Sequence, residues 1–222
     1  SAEGIAAQPS KTKAIMELTA PTSVSEVRRF LGMTGYYRSL MPDYARIALP
    51  LYALTPKKAQ WQWGADEQAA FDGLKQALCS STVMAYPQVN EPYRLYTDVS
   101  KVSLGAILVQ KDAQGIERPI QYLSAKFSPT ELKWSTIEKE AYAVIYSLKK
   151  LRAYLLGSEF TVLTDHKPLL CLFTKEMVNT KIQRWAVLLA EFGAKIEYRK
   201  GANNVRADML SRIENPSEIA AY

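Results

Sequence analysis

At 222 residues, with 48% apolar and 23% charged residues, the chain is long enough for one large domain or two small ones and too apolar for global disorder. Its net charge of +6 suits an acidic partner such as nucleic acid, although solubility alone accounts for it, and the excess is spread along the chain. No apolar run approaches the length of a membrane span and no signal peptide is visible, so an intracellular, non-secreted chain with no membrane partner is expected. Cys79 and Cys171 have no metal-type spacing and read as reduced core thiols, which fits that compartment.

Residues 1–22 show little periodicity and read as a flexible lead-in. Ser23-Val24-Ser25-Glu26 fits a capping box, with Ser23 as N-cap and Glu26 reaching back. The helix it opens carries Val24, Val27, Phe30 and Leu31 on one face. A short helix over 44–54, interrupted at Pro50, follows Pro42-Asp43, and Asp66-Glu67 opens a third helix whose stripe is Ala70, Phe71, Leu74 and Leu78. Residues 23–86 therefore read as a small helical subdomain, in which Arg28, Arg29, Arg38 and Lys57 are candidate phosphate contacts or simply a solvated face.

The pattern changes after a polar connector, residues 87–92. Residues 93–98 and 104–110 are β-like, the second alternating less clearly, with Asp112-Ala113-Gln114-Gly115 as a turn. Residues 119–124 alternate Ile120 and Tyr122 with Gln121 and Leu123, completing an antiparallel meander. A long helix runs from 131 or 136 to 155, with Gly157 ending it. A strand over 160–164, a short helix, a helix over 181–192, a strand over 195–199 and a last helix over 204–211 complete a domain at 91–213, before a tail at 214–222. The order implies an α/β domain, a five-stranded sheet of mixed direction flanked by helices, preceded by the helical subdomain.

On that scaffold Asp98 closes the first strand, Glu140 lies early in the long helix, Asp165 closes the fourth strand and Asp208 sits on the last helix. A lone strand-end Asp is usually a turn residue. If the first and fourth strands are neighbours, however, Asp98 and Asp165 emerge side by side, and helices crossing that edge add Glu140 and Asp208. Four gathered carboxylates repel one another unless cations neutralise them, and an all-oxygen donor set selects hard ions such as Mg²⁺ or Mn²⁺. Two such ions suit in-line phosphoryl displacement, which needs no nucleophilic side chain.

The stretches Tyr96-Thr97-Asp98-Val99-Ser100, Glu138-Lys139-Glu140-Ala141, Thr164-Asp165-His166-Lys167-Pro168, Arg184-Trp185 and Gly201-Ala202-Asn203-Asn204-Val205-Arg206-Ala207-Asp208 resemble the ribonuclease H domain of gypsy-type LTR-retrotransposon reverse transcriptases. Upstream, Arg29 to Arg38, Pro50-Leu51, Trp61 to Trp63 and Phe71 to Leu78 resemble the thumb or connection segment that precedes it. The resemblance covers roughly 23–213 and implies a ribonuclease H-like fold and an endonuclease that cuts the RNA strand of an RNA–DNA hybrid with two Mg²⁺, Mn²⁺ substituting. It makes Asp98, Glu140, Asp165 and Asp208 the catalytic metal ligands. Glu138 is a rival for the helix acid, and the family's motif favours Glu140. The loop before Asp208 lacks the His of cellular ribonucleases H, and the only one, His166, follows Asp165 as a structural imidazole in preference to a general acid, and is carried as a candidate substrate contact.

Ser100, Lys101, Ser135, Asn204 and Arg206 are further candidates for phosphate or 2′-hydroxyl contacts, each weighed against a turn or capping role. Trp134 and Tyr142 are candidates for stacking on sugars or for core. No adjacent Asp-Asp pair occurs, so polymerase chemistry is not expected, and the polymerase portion of a parent reverse transcriptase, or a second copy of it, is an expected partner. The competing reading is a non-catalytic nucleic-acid-binding or scaffold module derived from a retroelement.

Overall fold

The structure, a computed structural model, describes residues 4, 5, 7, 9–79, 84–172 and 180–199. The predicted last helix and tail, Asp208 included, lie outside these residues.

The helical segment comprises α1 (Pro9–Met16), α2 (Val24–Tyr36), α3 (Tyr44–Ile47), α4 (Leu49–Ala53) and α5 (Ala65–Cys79). Helix α1 stands where a flexible lead-in is expected: Ile15 enters the core of this segment, and Lys75 of α5 donates to the Leu18 carbonyl. An eight-residue helix is barely two turns, too short a stripe for periodicity to register. Ser23 caps α2 by accepting from the Glu26 amide, but the Glu26 carboxylate accepts from the Thr22 amide and hydroxyl rather than completing the box on Ser23. Phe30 stacks at a tilt on Phe71, and Val27, Leu31, Leu51, Leu74 and Leu78 fill the space around them. Cys79 is an exposed free thiol, not the core thiol expected, because α5 ends there.

Strands β1 (Tyr93–Val99), β2 (Ser103–Lys111), β3 (Glu117–Lys126), β4 (Phe160–Thr164) and β5 (Lys195–Tyr198) form one sheet in the order β3-β2-β1-β4-β5. The first three pair antiparallel, while β1–β4 and β4–β5 are parallel. Between β3 and β4 run α6 (Thr136–Lys150) and α7 (Arg152–Leu155); between β4 and β5 run α8 (Leu169–Leu172) and α9 (Thr180–Glu191). Gly157, between α7 and β4, has φ +79, a left-handed turn that glycine adopts without strain.

One sheet face carries Leu95, Leu108 and Val162 against Ala141, Val144, Ile145 and Leu148 of α6. The other carries Tyr96, Ile107, Val109, Tyr122 and Leu163 beneath Leu40 and Met84. The β2–β3 register shifts between Leu108 and Val109, so Ile120 turns to the α6 side while Tyr122 stays opposite, rather than both sharing a face as plain alternation implies. The helical segment is fastened to β3: Ser124 Oγ accepts from the buried Ala45 amide, and Arg38 donates to the Ser124 carbonyl. Arg94, Tyr96 and Arg199 are tied through Glu117: Arg94 and the Tyr96 hydroxyl both donate to its carboxylate, and Arg199 donates to the Tyr96 oxygen.

Candidate active site

Strand pairing sets the site. The parallel register matches Tyr96 with Leu163, so two residues further along the same ladder Asp98 and Asp165 stand at equivalent levels, at the C-terminal ends of adjacent strands. That is where side chains of a parallel pair leave the core. Asp98 is in phase with Tyr96 and thus on the face away from α6, whereas its neighbour Thr97 is buried. Asp165 opens a bend whose backbone is held by Thr164: the His166 amide donates to Thr164 Oγ1 at 3.1 Å and the Arg199 amide to the Thr164 carbonyl at 2.8 Å. Asp165 is exposed and His166 half-buried.

Glu140 reaches the same end of the sheet from α6. It is 5% exposed, and its Oε2 is a buried oxygen without a hydrogen-bond partner among the described residues. Burial, with the negative charge of Asp165 adding to it, pushes the Glu140 carboxyl up to about 7. The influence of Asp165 places the two groups within electrostatic reach. A buried carboxyl under the influence of a second acid, with no donor to its Oε2 among the described residues, has the chemistry of a group that takes a cation through oxygen.

Glu138, the rival acid, is committed elsewhere. It completes the capping box of α6: the Glu138 amide donates to Ser135 Oγ, and the Glu138 carboxylate accepts from the Ser135 amide. Its other oxygen lies 2.6 Å from Lys181 Nζ of α9. Lys181 first, and the Ser135 amide next, hold the Glu138 carboxyl well below the usual range, at about 2.

The predicted substrate contacts fall in different places. Ser100 Oγ accepts from the Val102 and Ser103 amides and so closes the β1–β2 turn beside Asp98. Lys101 is exposed at the tip of that turn, and Ser135 is the α6 cap just described. Asn204, Arg206 and Asp208 lie outside the described residues. Among the described residues no group of three or more His, Cys, Asp or Glu side chains is gathered closely enough to hold a metal ion. Of the basic residues on the helical segment, Arg28 donates to the Thr55 carbonyl and Arg38 to Ser124, so both do structural work. Trp134 and Tyr142 sit half-buried in an aromatic cluster with Trp185.

Two residues near the site carry no signal in the sequence. Lys181 is one. The other is Asp43, in a left-handed conformation at φ 53, whose Oδ1 would lie 3.3 Å from a Cβ added to Gly105, the cross-strand partner of Asp98. Neither belongs to a local motif; only the docking of α9 and of the helical segment brings them here.

Residues 88–192 match the model of an RNase H-like domain found in reverse transcriptase. This stretch belongs to that family. Outside the RNase H-like domain, similarity continues into the helical segment. The Retrovirus-related Pol polyprotein from transposon opus of Drosophila melanogaster is 44% identical over 96% of this chain and 22% of its own length. That from transposon 297 of the same organism is 38% identical over 96% of this chain and 20% of its own length. The Transposon Tf2-3 polyprotein of Schizosaccharomyces pombe is 36% identical over 92% of this chain and 16% of its own length. The chain thus spans about a fifth of the relatives it matches. The fold is shared with the foamy viral protease-reverse transcriptase: the complex with dsDNA superposes with a TM-score of 0.73 at 21% identity, over 87% of this chain and 42% of that one. Its complex with an RNA/DNA hybrid gives 0.72 at 21% identity, over 91% of this chain and 28% of that one.

Proposed function

We propose that this chain is the ribonuclease H portion, with the preceding thumb or connection segment, of a gypsy-type LTR-retrotransposon reverse transcriptase, and that it hydrolyses the RNA strand of RNA–DNA hybrids. The observation that carries the reading is Glu140: a buried carboxyl whose Oε2 has no hydrogen-bond partner among the described residues and which feels the charge of Asp165. Asp98, Glu140, Asp165 and Asp208 would hold two Mg²⁺ ions, or Mn²⁺ in their place. Divalent cations, when bound, supply charge that stabilises the attacking and leaving oxygens of the phosphodiester. The protein's own contribution would be placement: β1 and β4 bring the two aspartates to adjacent strand ends, and α6 carries the glutamate within electrostatic reach of Asp165. Ser100, Lys101, Ser135, His166, Asn204 and Arg206 are proposed to line the path of the hybrid, and the polymerase portion of the parent protein, or a second copy of it, is the proposed protein partner. The working compartment is intracellular, in the cytoplasm or in retroelement particles.

A non-catalytic hybrid-binding module is the second reading, favoured by the absence of a three-acid group among the described residues. Incubating the full chain with an end-labelled RNA–DNA duplex separates the two. Cleavage of the RNA strand with Mg²⁺ or Mn²⁺, abolished by Asp98→Asn, is the expected result. Tight binding without cleavage would sink the nuclease reading and leave the module.

A further inference from the structure

The carboxylate of Glu140 has one buried oxygen with no hydrogen bond, so that bond cannot orient it; its position follows from where the first turns of α6 are held. Those turns are fastened from outside. Glu138 lies two residues from Glu140, about 200° round the helix, and faces the opposite way. Its carboxylate closes the cap on Ser135 and meets Lys181 Nζ at 2.6 Å. Lys181 is itself seated between two rings, 3.8 Å from the Trp134 centroid and 5.3 Å from that of Trp185. Trp134 precedes the cap, while Lys181 and Trp185 belong to α9, and the rings pack together at 5.8 Å. The pair is only partly open to water, at 31% for Lys181 and 21% for Glu138, which preserves its strength against screening.

Resting on the nuclease reading above, we propose that the Lys181–Glu138 pair, set in the Trp134/Trp185 rings, is the positioning device for Glu140: it pins the start of α6 to α9 so that the inward acid meets its ligand at a fixed depth. Lys181 touches no reacting atom in this role. A helix start released by even about 1 Å would misplace the carboxylate, and displacements of that size lower turnover strongly while leaving remote substrate contacts intact.

The test compares full-length wild type with Lys181→Met, Lys181→Arg, Glu138→Gln and Glu140→Gln. Four quantities are read: amide exchange at residues 138–141, Mn²⁺ affinity by calorimetry, and kcat and KM on a hybrid duplex. Lys181→Met is expected to speed exchange in the first turns of α6, to weaken Mn²⁺ binding and to lower kcat, each by about tenfold, with KM within about twofold. Lys181→Arg, which keeps the ion pair and the ring contacts, should recover most of the loss. Glu138→Gln should reproduce the Lys181→Met phenotype more mildly, because the backbone amide of residue 138 still donates to the Ser135 Oγ cap, and it serves as the reading variant should Lys181→Met fold poorly. Unchanged exchange overturns the proposal. So does faster exchange with kcat and Mn²⁺ affinity intact, and so does a change in KM alone, which would make Lys181 a substrate contact. Failure of the parent reading looks different: wild type and Glu140→Gln would then be equally unable to bind Mn²⁺ or cleave. In that case the catalytic half of the proposal falls too, and exchange alone decides whether the pair anchors the helix.

Discussion

Asp165 acts on Glu140 across the end of the sheet: its negative charge adds to burial in holding a proton on the Glu140 carboxyl up to about pH 7. The two come from different elements, the start of a helix and the residue after β4, and the packing of α6 on the sheet brings them within electrostatic reach.

In the absence of divalent ions this raised carboxyl has a thermodynamic signature. The folded state binds a proton more tightly than the unfolded chain, so stability from this group is full below the ordinary glutamate value of 4.5 and is lost as pH rises to about 7. The loss is about 3 kcal/mol at most. Urea titrations in chelator between pH 4.5 and 8 should show wild type losing stability relative to Glu140→Gln over this window. Parallel curves would show that the carboxyl is not perturbed.

Asp165→Asn removes the secondary cause and leaves the primary one. The Glu140 titration, followed by carbon NMR of the carboxyl, should move down but stay above the ordinary glutamate value, because burial is the larger effect. Cleavage should fall by about 100-fold or more, the scale of removing one group aimed at the reacting atoms.

Ser124→Ala should weaken the seam between the helical segment and the sheet. The Ala45 amide is buried and its acceptor is Ser124 Oγ at 3.0 Å. Leaving that donor without a partner costs about 1–3 kcal/mol. A denaturant midpoint unchanged from wild type would mean that a water or a shifted backbone takes over.

Binding to a hybrid duplex, read with Mg²⁺ omitted to prevent cutting, should weaken steeply as salt is raised, because phosphate contacts release counterions. A flat response would argue against a basic path along the duplex.

Much of this was legible in the residues. Strand β4 matches its expected bounds, β1 and β5 match to within a residue, and the buried stripe of α5 is the one its helical spacing indicates. The adjacency of β1 and β4, on which the pairing of Asp98 with Asp165 depends, is only a condition at the level of sequence, because element order leaves the neighbour of a central strand open; the structure meets it. The weak alternation of β2 has a physical source that sequence could not display. Leu104, Ala106 and Leu108 pack on the α6 side, while Ile107 and Val109 are covered from the other side by the helical segment, so both faces are apolar. Docking of that segment, the bulge that turns Ile120 and the meeting of Lys181 with Glu138 are long-range events with no local pattern. Ser135 and Glu138 were readable as polar residues near an acid, but their capping bonds distinguish Glu138 from Glu140 more sharply than position on the helix does.

The apolar underside of the sheet has a practical corollary for dissection of the molecule. A fragment trimmed to the family-matched boundaries would lose Leu40 and the chain that carries Met84, and would turn Tyr96, Ile107, Val109, Tyr122 and Leu163 towards solvent. Such a slab is the kind of surface on which truncated proteins self-associate. The upstream helices thus serve as a built-in cover, and an excised RNase H-like module would need that surface rewritten with polar side chains before it could be handled as a monomer.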